Sequence, residues 1–152
     1  MLCGLAAVTA GVVATRTRKG SRRHRRAGQV WLVGLAGLCV TALILASMDW
    51  AHRWHLIVLG GMAAVLAAVG FLWAHRRWRG WRATHIVGMS CSFIAVLTAF
   101  YVDNGPRLPV WNLLPPIAFW FLPSAVGLPL LVRALRRHVG RRSAGSFTGA
   151  GQ

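Results

Sequence analysis

Six histidines are the most chemically versatile residues of this sequence, because an imidazole can bind a metal, carry a proton or ligate haem iron. His24 precedes one apolar stretch, His85 opens another, and His75 closes a third. Membrane b-type cytochromes hold haem between two histidines on different helices at matched depth. His24 and His85 therefore form a candidate haem b site, with His75 as a substitute ligand. The simpler alternative, histidines in polar turns without a ligand, is favoured because their spacings match no specific signature.

A second polar group comprises the sequence's only two acids and their neighbours: Asp49, His52, His55, Asp103 and Asn104. His52 and His55 are three residues apart on one helix end, so they can face the same way but cannot sandwich a haem. Together with Asp49 or Asp103 they have the ligand types that bind a divalent metal. Residues 103–106, DNGP, are instead typical of a turn, and we predict no metal site.

The sequence contains few residues that could carry out other catalytic chemistry. Two acids cannot supply a paired-carboxylate site within the apolar stretches, and the sequence has no G-x-S-x-G, P-loop or H-E-x-x-H motif. Cys3, Cys39 and Cys91 form no C-x-x-C pair and are expected to be buried free thiols. The sequence therefore favours a protein without an enzymatic site.

Composition indicates which elements must position these residues. Of the 152 residues, 56% are hydrophobic and only 13% are charged, against about 45–50% and about 25% in soluble domains. A soluble domain of this size buries only about two-thirds of its unfolded surface. The apolar surplus therefore requires lipid or partner proteins around it.

The apolar residues fall into stretches of the length that crosses a bilayer as a helix, about 20 residues. We expect an all-α, polytopic transmembrane helix bundle in one domain, residues 1–138, followed by a disordered cytoplasmic tail, residues 139–152. The expected helices are residues 2–15, 29–48, 55–74, 84–102 and 116–133. The first is short, and we interpret it as a transmembrane helix whose beginning is missing or whose start codon is placed too late.

The basic residues alternate between the connections. Sixteen of the eighteen follow the first, third and fifth stretches, and the other two connections hold Arg53, Arg107 and both acids. By the positive-inside rule, this predicts a bacterial cytoplasmic membrane protein with its N-terminus outside and its C-terminus in the cytoplasm. Basic residues at such a surface attract anionic lipid head groups. The residues predicted to do so are Arg22, Arg23, Arg25, Arg26, Arg76, Arg77 and Arg79.

Nucleic acid is the other partner that a net charge of +16 suggests. It is disfavoured because no aromatic-interleaved basic groove or nucleic-acid-binding module is present. Small residues spaced four apart, Gly60, Ala64 and Ala68, together with Gly34 and Gly37, indicate close helix packing. That packing is compatible with a bundle, a homo-oligomer or a membrane partner protein.

The order of motifs resembles a known family. HRRAGQVW after a basic turn, the stretch HIVGMSCSFIAVLTAFYVDNGPRLPVW, and a proline-containing last helix ending LVRALRR resemble bacterial multi-pass membrane proteins of the DUF2306 type. The resemblance covers about residues 18–137, and residues 85–111 are its most specific part. It implies a helical membrane protein with a longer first helix and leaves the chemistry open. We therefore expect a small non-enzymatic membrane protein, with haem-mediated electron transfer as the alternative.

Overall fold

The computed structural model describes residues 2–108 and 113–138 of the chain. Within this part the chain is helical without strands, and five α-helices follow one another: α1 Leu2–Arg16, α2 Arg22–Met48, α3 Trp50–Arg76, α4 Trp81–Asn104 and α5 Ala118–His138. A short 3₁₀ turn, Gly105–Arg107, extends α4. By length and composition, four helices in the described residues can cross a membrane, and α1 is shorter. The predicted all-α architecture with a short first helix is confirmed, and the chain is a multi-pass membrane protein.

Several helices extend beyond the apolar stretches into basic flanks. α2 begins at Arg22 rather than at residue 29, because the Ser21 hydroxyl caps it by accepting a hydrogen bond from the His24 backbone N–H at 3.1 Å. Arginine is a good helix former, so the turns that carry Arg22–Arg26 remain helical. α5 begins at Ala118, two residues later than predicted, after Pro115 and Pro116. The helical conformation is unfavourable for a residue that precedes a proline, so α5 starts only after the two prolines.

The chain divides into two compact units, Met1–Ala64 and Val65–Gln152, with the boundary inside α3. In the first unit α1 packs along α2. Ala7 is fully buried, and a Cβ placed on Gly34 would lie 2.9 Å from the Ala7 Cβ. The Cys39 thiol donates to the Gly60 carbonyl at 3.6 Å and so links α2 to α3. The predicted single domain over residues 1–138 stays a prediction, and the predicted tail at residues 139–152 lies outside the described residues.

In the second unit α4 contacts both the second half of α3 and α5. A Cβ on Gly88 would lie 2.6 Å from the Leu66 carbonyl oxygen and 3.0 Å from the Gly70 Cα, so the α3 and α4 backbones nearly touch. Against α5, a Cβ on Gly105 would lie 2.8 Å from the ring of Phe119, which is 1% exposed. These contacts make α4 the element around which the second unit is assembled.

On α3 the buried face lies one residue away from the expected small-residue face. On α3 the buried positions are Leu59, Ala63, Ala67 and Gly70, whereas Gly60 and Ala64 are partly exposed and Ala68 is exposed. On α4 the buried positions are Gly88, Ser92, Ala95 and Thr98. The close approach at Gly88 turns its own face inward, because only a glycine permits that backbone distance.

Large apolar side chains remain exposed along the long helices. Val33, Val65 and Phe121 are 74%, 63% and 65% exposed, and each lies within an apolar helix. In water such surfaces promote association, whereas lipid tails solvate them. The exposure is therefore what a helix surface in contact with lipid requires.

Candidate functional site

The connection between α3 and α4 stacks arginine side chains on indole rings. The Arg76 guanidinium carbon lies 5.3 Å from the centroid of the Trp78 ring. Arg77 and Arg82 both lie over Trp81, at 5.3 and 5.4 Å. Trp73 meets Trp78 edge to face, with ring centroids 4.6 Å apart. We call this group the arginine–tryptophan turn: Trp73, Arg76, Arg77, Trp78, Trp81 and Arg82.

Two residues with positive φ form this turn. Arg77 has φ 53° and Gly80 has φ 75°, values at which the chain leaves the right-handed helix. The Trp81 backbone N–H then donates to the Trp78 carbonyl at 2.9 Å, which closes the turn before α4. Glycine adopts this conformation without strain, whereas an arginine there is uncommon. The two left-handed positions reverse the chain, so that Arg77 in the turn and Arg82 in α4 both lie over Trp81.

The guanidinium groups lie over the indole rings, and their N–H donors are available. A cation–π contact at an exposed position contributes about 0.5–1 kcal/mol, which restricts a long side chain that would otherwise lose entropy on binding. A guanidinium presents five N–H donors in a fork that matches the oxygens of a phosphate. Arg76, Arg77 and Arg82 are exposed, as is Arg79 in the same turn. The arrangement is suited to a phosphate group arriving from the membrane surface.

The α1–α2 connection presents a second basic surface. The Ala14 carbonyl, in the last turn of α1, accepts hydrogen bonds from the His24 Nδ1 at 3.0 Å and from the Lys19 ammonium at 3.4 Å. Cationic and N–H donors satisfy the free carbonyls at a helix C-terminus. Partial desolvation lowers the pKa of the Lys19 ammonium, although the residue as a whole is exposed. The predicted head-group residues of this connection are exposed: Arg22, Arg23, Arg25 and Arg26.

Almost all of this positive charge lacks a carboxylate partner. Within residues 2–108 and 113–138 the ion pair found is the one between His52 and Asp49, at 3.0 Å. No arginine or lysine of that part of the chain forms one. Uncompensated charges repel one another, so this basic surface attracts anions.

His85 joins α4 to α3 through a backbone carbonyl. Its Nδ1 donates a hydrogen bond to the Gly70 carbonyl oxygen at 3.0 Å, beside the close approach of Gly70 and Gly88. His75 stacks on Phe71, with ring centroids 5.8 Å apart. His85 thus has a structural contact of its own, whether or not it binds a ligand.

The predicted haem ligands share one feature. His24 and His85 each bond a backbone carbonyl through Nδ1, and a carbonyl oxygen can only accept, so Nδ1 carries the hydrogen. A histidine whose Nδ1 is held in this way ligates metals through Nε2. The residues therefore fit the ligand role individually, and the haem site stays a prediction.

The predicted outer-face cluster is formed in part. His52 Nδ1 donates to the Asp49 carboxylate at 3.0 Å, and this hydrogen bond lowers the pKa of the exposed Asp49 carboxyl. His55 contacts the neighbouring Trp54 ring edge to face. Asn104 donates to the Phe100 carbonyl of its own helix at 3.1 Å, and Asp103 is partly exposed beside it. Among the described residues, no three His, Cys, Asp or Glu side chains are grouped so as to hold a metal ion.

Comparison of the chain with protein-family models, with curated proteins and with solved structures returns no match. The relationship to DUF2306-type proteins stays a prediction. Function is therefore inferred from the geometry and charge of the chain itself.

Two features were not anticipated from the sequence. The stacking of arginines on Trp78 and Trp81 was missed, although the letters RRWRGWR interleave basic and aromatic residues. Nucleic-acid binding is therefore disfavoured by the lack of a binding module in the sequence and not by a lack of such interleaving. The pairing of Gly70 with Gly88 was also missed, although the two glycines lie at similar distances from the turn that joins their helices. Both signals require the two helices to be considered as a hairpin rather than one at a time.

Proposed function

We propose that this chain is a non-enzymatic integral protein of the bacterial cytoplasmic membrane that binds anionic lipid head groups on its cytoplasmic side. In this proposal the N-terminus is outside and the basic connections face the cytoplasm. The exposed apolar helix faces contact lipid, a second copy of the chain or a neighbouring membrane protein. The protein then acts by holding lipid or partners at the membrane surface rather than by catalysis.

The arginine–tryptophan turn is the observation that supports the proposal most directly. Tryptophan is enriched at membrane interfaces, where its ring lies among head groups. In this turn the indoles also orient guanidinium groups that have no carboxylate partner in the described chain. A basic residue close to an anionic surface contributes about 1 kcal/mol of attraction.

Lipid preference tests the proposal. Native mass spectrometry of the detergent-solubilised protein is expected to show stronger binding of phosphatidylglycerol than of phosphatidylcholine at equal concentration. The double variant Arg76→Gln/Arg77→Gln should bind phosphatidylglycerol more weakly at the arginine–tryptophan turn, because it loses two oriented cations there. At about 1 kcal/mol each, the loss corresponds to about thirtyfold.

A matched control tests whether the loss of lipid binding depends on the position of the arginines or only on the net charge. The double variant Arg53→Gln/Arg107→Gln removes the same charge from the two connections predicted to lie outside. Its phosphatidylglycerol affinity should stay close to that of the unaltered protein, because the turn is intact. Equal binding of the two lipids by the unaltered protein would contradict the proposed function.

Haem b binding is the second candidate function, supported by the Nδ1 hydrogen bonds of His24 and His85. A bound haem would supply one-electron redox chemistry, and the two histidines would hold its iron through Nε2. The carbonyl partners, Ala14 and Gly70, fix each ring so that Nδ1 is occupied.

An absorption spectrum tests this candidate. If haem is bound, protein purified from haem-replete cells should show a Soret band that sharpens on dithionite reduction. The band should disappear in His24→Ala and His85→Ala but persist in His138→Ala, a control histidine on the exposed end of α5. A spectrum without a Soret band would exclude haem and leave the lipid proposal untouched.

A further inference from the structure

The C-terminal half of α5 carries an open groove separate from the arginine–tryptophan turn. Its volume is about 570 Å³, within the range of about 300–1,000 Å³ of small-molecule sites. Its lining combines apolar and cationic side chains: Leu128, Pro129, Val132, Arg133, Arg136 and Arg137. None of the three arginines was among the residues predicted to bind head groups.

The lining residues divide along the helix into an apolar and a charged part. Leu128, Pro129 and Val132 come first, and the arginines follow towards the C-terminus. At 1.5 Å per residue, Leu128 and Arg137 are about 14 Å apart along the axis. A bilayer's polar region adds only about 5–8 Å per side to its hydrocarbon core. A groove of this length whose arginines lie among head groups therefore extends to the acyl chains.

The spacing of the arginines is unfavourable without an anion. Arg133 lies three residues before Arg136 and four before Arg137, so the guanidinium groups share one helix face. Like charges at these spacings destabilise a helix, each pair by a few tenths of a kcal/mol. None of the three forms an ion pair within the described residues. A phosphate among them would remove the repulsion and use their N–H donors.

We propose that the α5 groove is a specific site for one anionic phospholipid, with its phosphate on Arg133, Arg136 and Arg137 and its acyl chain along Leu128, Pro129 and Val132. The proposal rests on the proposed lipid-binding function and deepens it by naming a site. The apolar floor distinguishes a lipid from a soluble phosphate, because a soluble ligand would leave that floor unused.

Native mass spectrometry at limiting phosphatidylglycerol tests the site. The triple variant Arg133→Gln/Arg136→Gln/Arg137→Gln should lose the tightest-bound lipid, with affinity reduced by at least about tenfold. The control is Arg16→Gln/Arg18→Gln/Arg107→Gln, which removes the same charge from three exposed positions that are not among the predicted head-group residues. Its tightest-bound lipid should be retained within about threefold. Circular dichroism of both variants should show unchanged helicity, since all six arginines are exposed.

The possible outcomes distinguish failure of the α5 site from failure of the proposed lipid-binding function. Equal loss in the two triple variants would overturn the α5 site and leave the lipid-binding function standing, because net charge alone would explain it. Failure of the unaltered protein to prefer phosphatidylglycerol over phosphatidylcholine would overturn both. Displacement of the bound lipid by glycerol phosphate at equal concentration would show a soluble phosphate site and overturn the lipid assignment.

Discussion

Replacement of Gly88 by alanine is expected to destabilise the second unit. The new Cβ would lie 2.6 Å from the Leu66 carbonyl oxygen and 3.0 Å from the Gly70 Cα, and both are backbone atoms that cannot rotate away. Relieving such overlap requires α3 and α4 to separate, at a cost of about 1–3 kcal/mol. Thermal unfolding in detergent should show a melting temperature lowered by about 4–8 °C for a loss of about 2 kcal/mol.

Two glycines of α3, Gly61 and Gly70, provide the controls for Gly88 on α4. A Cβ on Gly61 would have no atom within 4 Å, so Gly61→Ala should leave stability unchanged or raise it. Gly70→Ala should fall between the two, because its nearest contact would be 3.3 Å from the Met89 backbone nitrogen. If Gly88→Ala melts at the same temperature as Gly61→Ala, α3 and α4 do not approach as described.

Replacement of Phe119 by alanine is expected to have the largest effect on stability. Its ring is 1% exposed and covers Gly105 at the end of α4. Deleting a buried phenylalanine side chain typically costs about 3–5 kcal/mol through the cavity that it leaves. Between helices in lipid the cost comes mainly from lost van der Waals contacts, because lipid tails are as apolar as the ring. We expect about 3 kcal/mol, measured by thermal or denaturant unfolding.

Phe121 is the matched control on the same helix. It is 65% exposed, so Phe121→Ala exchanges contacts with lipid rather than contacts with protein. The melting temperature should change little, because the free energy of unfolding should stay within about 0.5 kcal/mol of that of the unaltered protein. If Phe119→Ala and Phe121→Ala destabilise equally, α5 does not pack against the end of α4 through Phe119.

The sequence alone was sufficient for the fold class and the number of long apolar helices. In a bilayer each backbone polar group must be satisfied within its own segment, so about 20 apolar residues in a row already specify a spanning helix. This information is local, and the stretches at residues 29–48, 55–74 and 84–102 were all recognised as helices. Their ends were less well predicted, because helices such as α2 continue into arginine-rich flanks, where hydropathy falls but backbone hydrogen bonding persists.

Which side of each helix is buried was decided only by tertiary structure. Small residues at Gly60, Ala64 and Ala68 indicated close packing, but the buried stripe on α3 runs through Ala63 and Ala67. The pattern of small residues indicates the positions at which two helix backbones can approach each other closely. The partner helix determines which of them is used, here through the contact of Gly88 with Gly70.

Part of the candidate site could likewise be predicted from the sequence, and part became visible only in the tertiary structure. The sequence alone identified the basic connections and the histidines as candidates, because charge and residue type are visible without a fold. Only the structure brought Arg77 and Arg82, from either side of a turn, over the same Trp81 ring, and His85 to the Gly70 carbonyl. The Trp81 ring is contacted from four positions before it and from one position after it, and the His85–Gly70 hydrogen bond spans fifteen positions. These contacts depend on the left-handed turn residues and on the separation between α3 and α4. Neither quantity is encoded in any single helix, so neither could be obtained from hydropathy or charge.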